Sequence, residues 1–363
     1  MSLNLNGDDF CYEQKEFYAS PENVKTMGRT VFKDNELYMI HSASYIEFNF
    51  VCRVLYVDVS AFMKENSRLA VFVNDKLVYN LTIDIEHGNR IIEIFDSETL
   101  HYGTAKLVKL NSAVDSSIIK INKIITDENG RIYPSEDRKY KMEFIGAEMT
   151  NGFGVEGGRE SSGRYLISEE NAIMAYPYLA AEEINADLQV VAYNGFGLLT
   201  GYSEDGDLIP EKAFPQYYEE TAILPDGSLC GKWDFSKFQP DFIIVNLGTN
   251  DFNYCDDEEK FELFYKEYTE FLRKLRHLNP NAQIFCILGI MGDKLSEKAQ
   301  YAVWDYCYDY DEAAMYFSNF QLLPDKKETI GTSGFPSRNT HIKAARELIR
   351  VMRKYLDEEK YRL

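Results

Sequence analysis

Polar side chains that could take part in chemistry follow several apolar runs in the second half of the chain. Glu148 comes after the run that ends at Gly146, Asn194 ends the next run, and Asn250 and Asp251 follow a third. A carboxylate or an amide at such a position can hydrogen-bond a polar ligand. Two carboxylates facing each other across a sugar would form the acid–base pair of a glycosidase. Nothing but its position suggests Asp251 as the partner of Glu148 in such a pair. The pattern therefore favours hydrogen bonding to a ligand over a glycosidase acid–base pair.

Alternating strands and helices are predicted to position these residues. The strands are apolar runs closed by glycine, at residues 141–146, 188–195, 242–248 and 283–289. Helical spacing follows at residues 261–277 and 342–356. This alternation predicts a parallel sheet covered by helices on both faces, with the ligand site at the carboxyl ends of its strands. The residues that fall at those ends are Glu148, Asn194, Gly195, Gly248, Asn250 and Asp251.

The first third of the chain has a different pattern. Short β-branched and aromatic runs, several of them alternating with polar residues, fill residues 28–130 and predict a β-sandwich. Asn74 and Asp75 are predicted to form a hairpin turn between two of the strands. A polar, turn-rich segment at residues 127–139 is the predicted linker. We therefore predict an α/β protein with two domains, an N-terminal β-sandwich over residues 1–130 and an α/β domain over residues 138–363.

Short segments along the chain resemble the SGNH (GDSL) hydrolases, and specifically carbohydrate esterase family two. In the second domain these are residues 144–154, the sequence Gly-Thr-Asn-Asp at 248–251, and Phe-Pro at 335–336 ahead of the last helix. Residues 24–29 are similar to the start of the jelly-roll domain in that family, and residues 288–292 to its Leu-Gly-Pro-Met-Gly. The resemblance implies a jelly-roll domain followed by a three-layer α/β/α hydrolase domain with a parallel sheet.

The resemblance also implies a site whose catalytic positions are substituted. The family usually has Gly-Asp-Ser in its first segment and Asp-x-His-Pro in its last. Here Glu148 stands at the nucleophile position, Ser333 at the aspartate position and Phe335 at the histidine position. The backbone N–H of Gly195 and the side chain of Asn250 match the family's two oxyanion donors. A serine esterase needs a nucleophile, a base and such donors. The sequence thus predicts a scaffold that keeps its donors and lacks its triad.

Few residues near the predicted site could substitute for the missing groups. Thr150 and Ser161 are the nearby hydroxyls, but a one-residue slip would not bring Thr150 to the turn. His341 is the only nearby histidine, and capping or packing at the start of the last helix accounts for it better than a role as base. We predict that Asn194, Asp251 and His341 contribute to ligand binding.

Glu148 is expected to lie at a strand-to-helix turn, where backbone N–H groups and a helix N-terminus favour an anion. Two roles follow from this position. Its carboxylate could satisfy the oxyanion donors itself and close the pocket to an ester, or it could accept hydrogen bonds from sugar hydroxyls.

The composition of the chain limits which partners it is expected to bind. The net charge of -20 argues against nucleic acid and anionic membranes, because phosphate binding needs clustered lysine and arginine. The chain has no apolar run of about 18 residues that would span a membrane. Six cysteines without a Cys-x-x-Cys pair predict no metal site, and no cofactor is expected. No signal peptide is visible, so the sequence as written predicts a cytoplasmic protein, or a secreted one if the N-terminus has been trimmed.

Three functions fit these observations. The first is a former esterase that binds carbohydrate, such as an acetylated plant polysaccharide or oligosaccharide, in the old cleft. The alternative is an active acetylxylan-esterase-like carbohydrate O-acetyl esterase that uses non-standard residues. The third is a structural or regulatory subunit that pairs with an active paralogue. The 26 tyrosines and 23 phenylalanines suit a sugar-binding surface as well as a core.

Overall fold

The computed structural model describes residues 13–86, 88–114, 116, 118–158, 166–310, 315–319 and 330–356. The chain divides into two compact units, Met1–Asp137 with Ala222–Cys230 and Arg138–Thr221 with Gly231–Leu363. Nothing in the sequence pattern singled out residues 222–230 as belonging with the first unit. Among the described residues, no helix is both long and apolar enough to cross a membrane.

The first unit is rich in antiparallel sheet, as the sequence predicts. Its strands are β1 (Gln14–Phe17), β2 (Lys25–Met27), β3 (Val31–Lys33), β4 (Glu36–Met39), β5 (Tyr45–Phe62), β6 (Ser67–Val73), β7 (Lys76–Ile83), β8 (Arg90–Lys109), β9 (Ile118–Asp127) and β10 (Arg131–Pro134). They belong to one hydrogen-bonded sheet with the path β3-β4-β9-β5-β8-β6-β7. Buried side chains from the long strands, including Phe48, Leu55 and Leu107, form its core.

Two local features of this unit bear on the sequence analysis. Asn74 and Asp75 both have positive φ, 49° and 62°, and they join β6 to β7. The hairpin turn predicted there is confirmed, because such a turn needs the left-handed backbone that asparagine and aspartate tolerate. The predicted linker is wrong in part. Residues 131–134 form β10, which pairs with β5, since Ile132 is apolar enough to be buried in the sheet.

The second unit contains a parallel sheet with helices, and the predicted α/β fold is confirmed. Its strands are β11 (Tyr140–Gly146), β12 (Ala186–Ala192), β13 (Phe242–Val245), β14 (Gln283–Leu288) and β15 (Met315–Asn319). Its helices are α1 (Glu148–Asn151), α2 (Tyr176–Glu183), α3 (Glu258–Leu278), α4 (Ser296–Tyr310) and α5 (Arg338–Met352). The strand order is β12-β11-β13-β14-β15, so β11 lies between β12 and β13. Because these three strands are parallel, the loops after them meet at one edge of the sheet.

Helix α3 shows how local sequence fixes its ends. The Asp257 side chain accepts a hydrogen bond of 2.9 Å from the backbone N–H of Lys260 and so caps the first turn. Arg276 and His277 occupy the last turn, where the helix dipole favours positive charge. The helix predicted from spacing over residues 261–277 is therefore confirmed, with ends three residues earlier and one residue later.

Candidate functional site

Glu148 is the first residue of α1, and its carboxylate is held by two donors from neighbouring loops. The backbone N–H of Gly195 donates to Glu148 Oε1 at 2.6 Å, and Nδ2 of Asn250 donates to Oε2 at 3.1 Å. The side chain is half-buried. Gly146 allows the helix to start directly after β11, since a Cβ there would lie 2.1 Å from Thr150 Oγ1. Of the two roles expected for Glu148, this geometry matches the one in which it satisfies the donors itself.

Gly195 follows β12 in a turn that needs glycine. Its φ is +79°, in the left-handed region, and this conformation directs its N–H towards Glu148. Its carbonyl accepts a hydrogen bond of 3.0 Å from the backbone N–H of Tyr202, which fixes the returning chain. The preceding residue, Asn194, accepts a hydrogen bond of 2.8 Å from Asn151 Nδ2 through its side-chain oxygen. Asn194 therefore ties this loop to α1.

Asn250 lies in a short 3-10 turn after β13. Its Nδ2 donates to the carbonyl of Phe196 at 2.8 Å as well as to Glu148, so two acceptors fix the orientation of the amide. Gly248 starts this turn with φ of +129°, and a Cβ there would lie 2.9 Å from Leu288 Cδ1. Only glycine fits that position. The predicted convergence of Glu148, Gly195 and Asn250 at the strand ends is thus present.

The prediction that Asp251 binds ligand is wrong. The side chain is fully buried and accepts three backbone hydrogen bonds, from Leu198 at 2.8 Å, Leu199 at 2.7 Å and Thr200 at 3.1 Å. It holds the loop that begins at Gly195 against the loop that carries Asn250. Burial raises its pKa to about 6, although the three N–H groups act in the opposite direction. Asp251 therefore positions the two donor loops and does not face the cleft.

We expect Asp251→Asn to change the pH dependence of stability. The folded-state pKa of Asp251 is raised, so its contribution favours folding below about pH 4 and is lost as pH rises through about 6. The unfolding free energy of the wild type minus that of the variant should therefore fall by roughly 3 kcal/mol as pH rises over that interval, since one pKa unit corresponds to about 1.4 kcal/mol. Urea unfolding at several pH values measures it. A difference that stays constant with pH would contradict the assignment.

Ser333 and Phe335 come from the segment that precedes α5. Its backbone is anchored by a hydrogen bond of 3.1 Å from the N–H of Thr332 to the carbonyl of Gly154. Ser333 is exposed and has φ of 52°, which is uncommon for a residue other than glycine. The Phe335 ring packs against Phe153 with a centroid distance of 4.5 Å. An apolar ring pair therefore occupies the position that the family resemblance gives to a polar base.

His341 is also not placed to bind ligand, contrary to the prediction. It is fully buried, its Nδ1 accepts a hydrogen bond of 3.2 Å from the backbone N–H of Tyr176, and its ring stacks on that tyrosine. Burial lowers its pKa to about 3. Thr150 is buried too, with its hydroxyl 3.2 Å from that of Tyr176. Ser161 lies outside the described residues. His341 is thus a packing residue at the start of α5.

A single cleft of about 330 Å³ brings four of the predicted positions together. Its described lining is Glu148, Met149, Tyr202, Thr249, Asn250, Phe252, Asn253, Met291, Ser333 and Phe335. Sequence reasoning missed Tyr202, Phe252 and Asn253. Phe252 and Asn253 directly follow the Gly-Thr-Asn-Asp motif, a signal that could have found them. Tyr202 lies in a loop without such a signal. Among the described residues, no group of three or more histidine, cysteine, aspartate or glutamate side chains is arranged to hold a metal ion.

Much of the second unit falls within a match to a known family. Residues 144–319 match the GDSL-like Lipase/Acylhydrolase family, which confirms the family predicted from the motifs. The match begins in β11, the strand that leads into Glu148. The chain is also 33% identical over 208 residues to "Cellulase/esterase CelE" of Acetivibrio thermocellus. That alignment covers 55% of this chain and 24% of the relative, so the chain spans about a quarter of that protein.

Solved structures are similar over almost the whole chain. An acetyl xylan esterase from the rumen bacterium Butyrivibrio proteoclasticus has a TM-score of 0.84 at 22% identity, with 94% of this chain and 98% of that chain covered. A family two carbohydrate esterase from Clostridium thermocellum, solved in complex with cellohexaose, has a TM-score of 0.78 at 23% identity. Coverage in that case is 92% of this chain and 98% of the other. These structures share both the antiparallel region and the parallel sheet.

Proposed function

We propose that this chain, whose residues 144–319 form a GDSL-like lipase/acylhydrolase domain, binds carbohydrate in the cleft around Glu148 and does not hydrolyse esters. One observation carries the proposal. The carboxylate of Glu148 accepts hydrogen bonds from both Gly195 N–H and Asn250 Nδ2. Those donors are the groups that would stabilise the negative oxygen of an ester in its transition state. The carboxyl oxygens of Glu148 occupy them instead.

The absence of reactive groups in the described part of the cleft supports the loss of hydrolysis. A carboxylate that attacks an ester would form an anhydride rather than a stable acyl-enzyme, so Glu148 does not replace a serine. Phe335 has no proton to exchange, so it does not act as a base. In the segment that contains Phe335, Ser333 is the one residue with a hydroxyl group that lines the cleft. His341 is buried and already accepts the Tyr176 N–H, so it is not accessible as a general base.

The walls of the cleft support carbohydrate as the ligand. Tyr202, Phe252 and Phe335 supply aromatic surface, on which the apolar faces of sugar rings can pack. Thr249 and Asn253 supply hydrogen-bonding groups beside them. Apolar surface with a few polar groups is the usual composition of a small-molecule site. A structurally similar carbohydrate esterase was solved with cellohexaose, which makes β-linked oligosaccharides the first ligands to test.

Cello- and xylo-oligosaccharides are expected to raise the melting temperature of the protein, because a ligand that binds only the folded state stabilises it. Tyr202→Ala should weaken this binding by roughly tenfold, about 1.4 kcal/mol, through loss of aromatic packing at the mouth of the cleft. Tyr308→Ala is the matched control. Tyr308 is an exposed tyrosine, 89% accessible against 54% for Tyr202, and it does not line the cleft.

Three outcomes would count against the proposal. No thermal shift with any oligosaccharide would remove carbohydrate binding. Equal losses in Tyr202→Ala and Tyr308→Ala would move binding away from this cleft. Saturable turnover of an acetylated oligosaccharide would replace the proposal with the alternative of an active esterase, which the presence of both oxyanion-type donors, Gly195 and Asn250, favours.

A further inference from the structure

We infer that Gly292 sets the width of the cleft and thereby determines which sugar units fit it. The ring of Phe252 rests on the α-carbon of Gly292, and this seat holds the ring back from the space that a ligand would occupy. The inference rests on the proposed function and concerns the shape of its ligand. Gly292 is not among the described residues that line the cleft, whereas Phe252 is. Gly292 therefore acts as a positioning residue for an aromatic wall.

Phe252 packs directly on the backbone of Gly292. A Cβ built on Gly292 would lie 2.1 Å from Cε2, 3.0 Å from Cζ and 3.1 Å from Cδ2 of Phe252. Non-bonded carbon atoms normally stay about 3.5 Å or more apart, so a side chain at position 292 and the ring in this place exclude each other. Phe252 is half-buried and lines the cleft. One side of the ring is thus held by Gly292, and the other is offered to a ligand.

The loop that carries Gly292, residues 289–295 between β14 and α4, has an unusual backbone. Gly289, Ile290 and Gly292 have φ of +138°, +78° and +136°. A positive φ is a genuine outlier for a β-branched residue such as Ile290, whose side chain is buried. Backbone strain of this kind persists only where the surroundings enforce it, and it clusters at binding sites and ligand clamps. Here it lies directly behind a wall of the cleft.

Ile290 also departs from the motif that this loop resembles. Residues 288–292 are similar to Leu-Gly-Pro-Met-Gly, with Ile290 at the proline position. Proline fixes φ near about −65°, so it could not adopt the φ of +78° found at Ile290. The backbone between Gly289 and Gly292 therefore follows a course that the proline of the motif does not allow. The seat of Phe252 is inferred from the geometry of this chain and not from the motif.

A second contact from the same loop holds the wall in place. Lys294 Nζ donates a hydrogen bond of 2.6 Å to the backbone carbonyl of Phe252. The backbone N–H of Phe252 donates to the carbonyl of Thr249 at 3.3 Å, so the wall is continuous with the turn that carries Asn250. Met291, next to Gly292, lines the cleft itself. The loop thus holds both the ring and the backbone of Phe252.

A side chain at position 292 is expected to narrow the cleft. The Phe252 ring would have to move away from the loop by about 1 Å to restore ordinary contact distances. Because the ring lines the cleft, this movement takes space from the ligand. A glucose unit carries a hydroxymethyl group that a xylose unit lacks, so binding of the glucose unit should suffer more. Apolar sites distinguish ligands that differ by a group of this size by about 10- to 200-fold.

The experiment is a double-mutant cycle of Gly292→Ala and Phe252→Leu, with affinities for cellotetraose and xylotetraose measured by isothermal titration calorimetry. In the wild-type background, Gly292→Ala should weaken the binding of cellotetraose by about tenfold and that of xylotetraose less. In the Phe252→Leu background, the same change should cost little, because the smaller side chain leaves room for the added Cβ. Melting temperatures show whether each variant is folded.

The outcomes separate this inference from the proposed function. If wild type binds both sugars and folded Gly292→Ala binds them equally well, the inference is overturned and carbohydrate binding stands. An equal loss for the two sugars would mean that Gly292 does not select by width. An equal cost of Gly292→Ala with Phe252 and with leucine at that position would mean that Gly292 does not act through the ring. No binding of either sugar by wild type overturns both proposals.

A second variant decides if Gly292→Ala does not fold, since alanine would have to adopt a φ of +136° there. Lys294→Met removes the hydrogen bond to the Phe252 carbonyl, and Lys294 is not among the described residues that line the cleft. It should weaken the binding of cellotetraose. Lys298→Met is the matched control, because Lys298 pairs with Glu258 and Glu262 instead. Equal affinity of the two lysine variants would contradict the inference that this loop positions Phe252.

Discussion

Purified wild-type protein is expected to hydrolyse p-nitrophenyl acetate and acetylated xylan no faster than the buffer blank. Loss of the nucleophile or base of a serine hydrolase costs on the order of 10⁶-fold in rate. Such an enzyme still keeps about 10³ to 10⁴-fold over water from binding and its oxyanion hole. In this chain the Gly195 and Asn250 donors are already bound to Glu148. The residual rate should therefore be lost as well.

Release of product from both esters, with protein concentration and pH varied, measures this expectation. Glu148→Ala is an informative comparison, because it frees both donors and should restore a small residual rate without restoring a nucleophile. His341→Ala is the second comparison, since His341 is buried against Tyr176 and should have no catalytic effect. Saturable wild-type turnover that disappears in folded His341→Ala would identify that histidine as the base, and the binding-protein proposal would have to be abandoned.

The sequence was sufficient to predict which backbone segments meet. Apolar runs that end in glycine predicted parallel strands. Parallel strands place the residues that follow them at one edge of the sheet. Glu148, Gly195 and Asn250 therefore converge as expected, with Asn250 Nδ2 at 3.1 Å from the carboxylate. Asn74 and Asp75 were predictable for a similar reason, because few residues tolerate the backbone of a tight hairpin turn. In each case the backbone dictates the residue.

Side-chain direction was less predictable. Asn250 and Asp251 are neighbours in the sequence, yet one faces the cleft and the other is fully buried. The difference depends on the three N–H groups of residues 198–200, which are about fifty positions away and carry no motif. Tyr202 reaches the cleft through the same loop. His341 was predicted to bind ligand because of its chemistry. In the structure it is buried because its ring, at the start of α5, stacks on Tyr176.

The triple variant Glu148→Ser, Ser333→Asp and Phe335→His is expected to gain weak esterase activity. These changes restore the residue types that the family resemblance assigns to the triad. Removing the carboxylate also releases Gly195 N–H and Asn250 Nδ2 to stabilise an oxyanion. Turnover of p-nitrophenyl acetate should rise measurably above wild type. It should remain well below that of a natural esterase, because a misplacement of about 1 Å can cost around 100-fold in rate.

The backbone around the three positions is compatible with these changes. Ser333 has φ of 52°, and aspartate tolerates the left-handed region better than most residues. Phe335 packs on Phe153 at 4.5 Å, and a histidine ring is smaller than the phenylalanine ring it replaces. Its orientation then depends on a hydrogen bond that the new imidazole donates to the aspartate two residues earlier, because in a serine triad the acidic group holds the imidazole in place.

The decisive control adds Asn250→Ala to the triple variant. Loss of one oxyanion donor should lower the new activity by roughly 10² to 10³-fold. Asn250 also donates to the Phe196 carbonyl at 2.8 Å, so the melting temperatures of the triple and quadruple variants must agree before the rates are compared. If the quadruple variant is folded and retains all of the activity of the triple variant, Asn250 is not an oxyanion donor. The assignment of Asn250 as one of the two oxyanion donors of a former esterase site would then be wrong. The hydrogen bond between Asn250 and Glu148 would have a reason unrelated to ester chemistry.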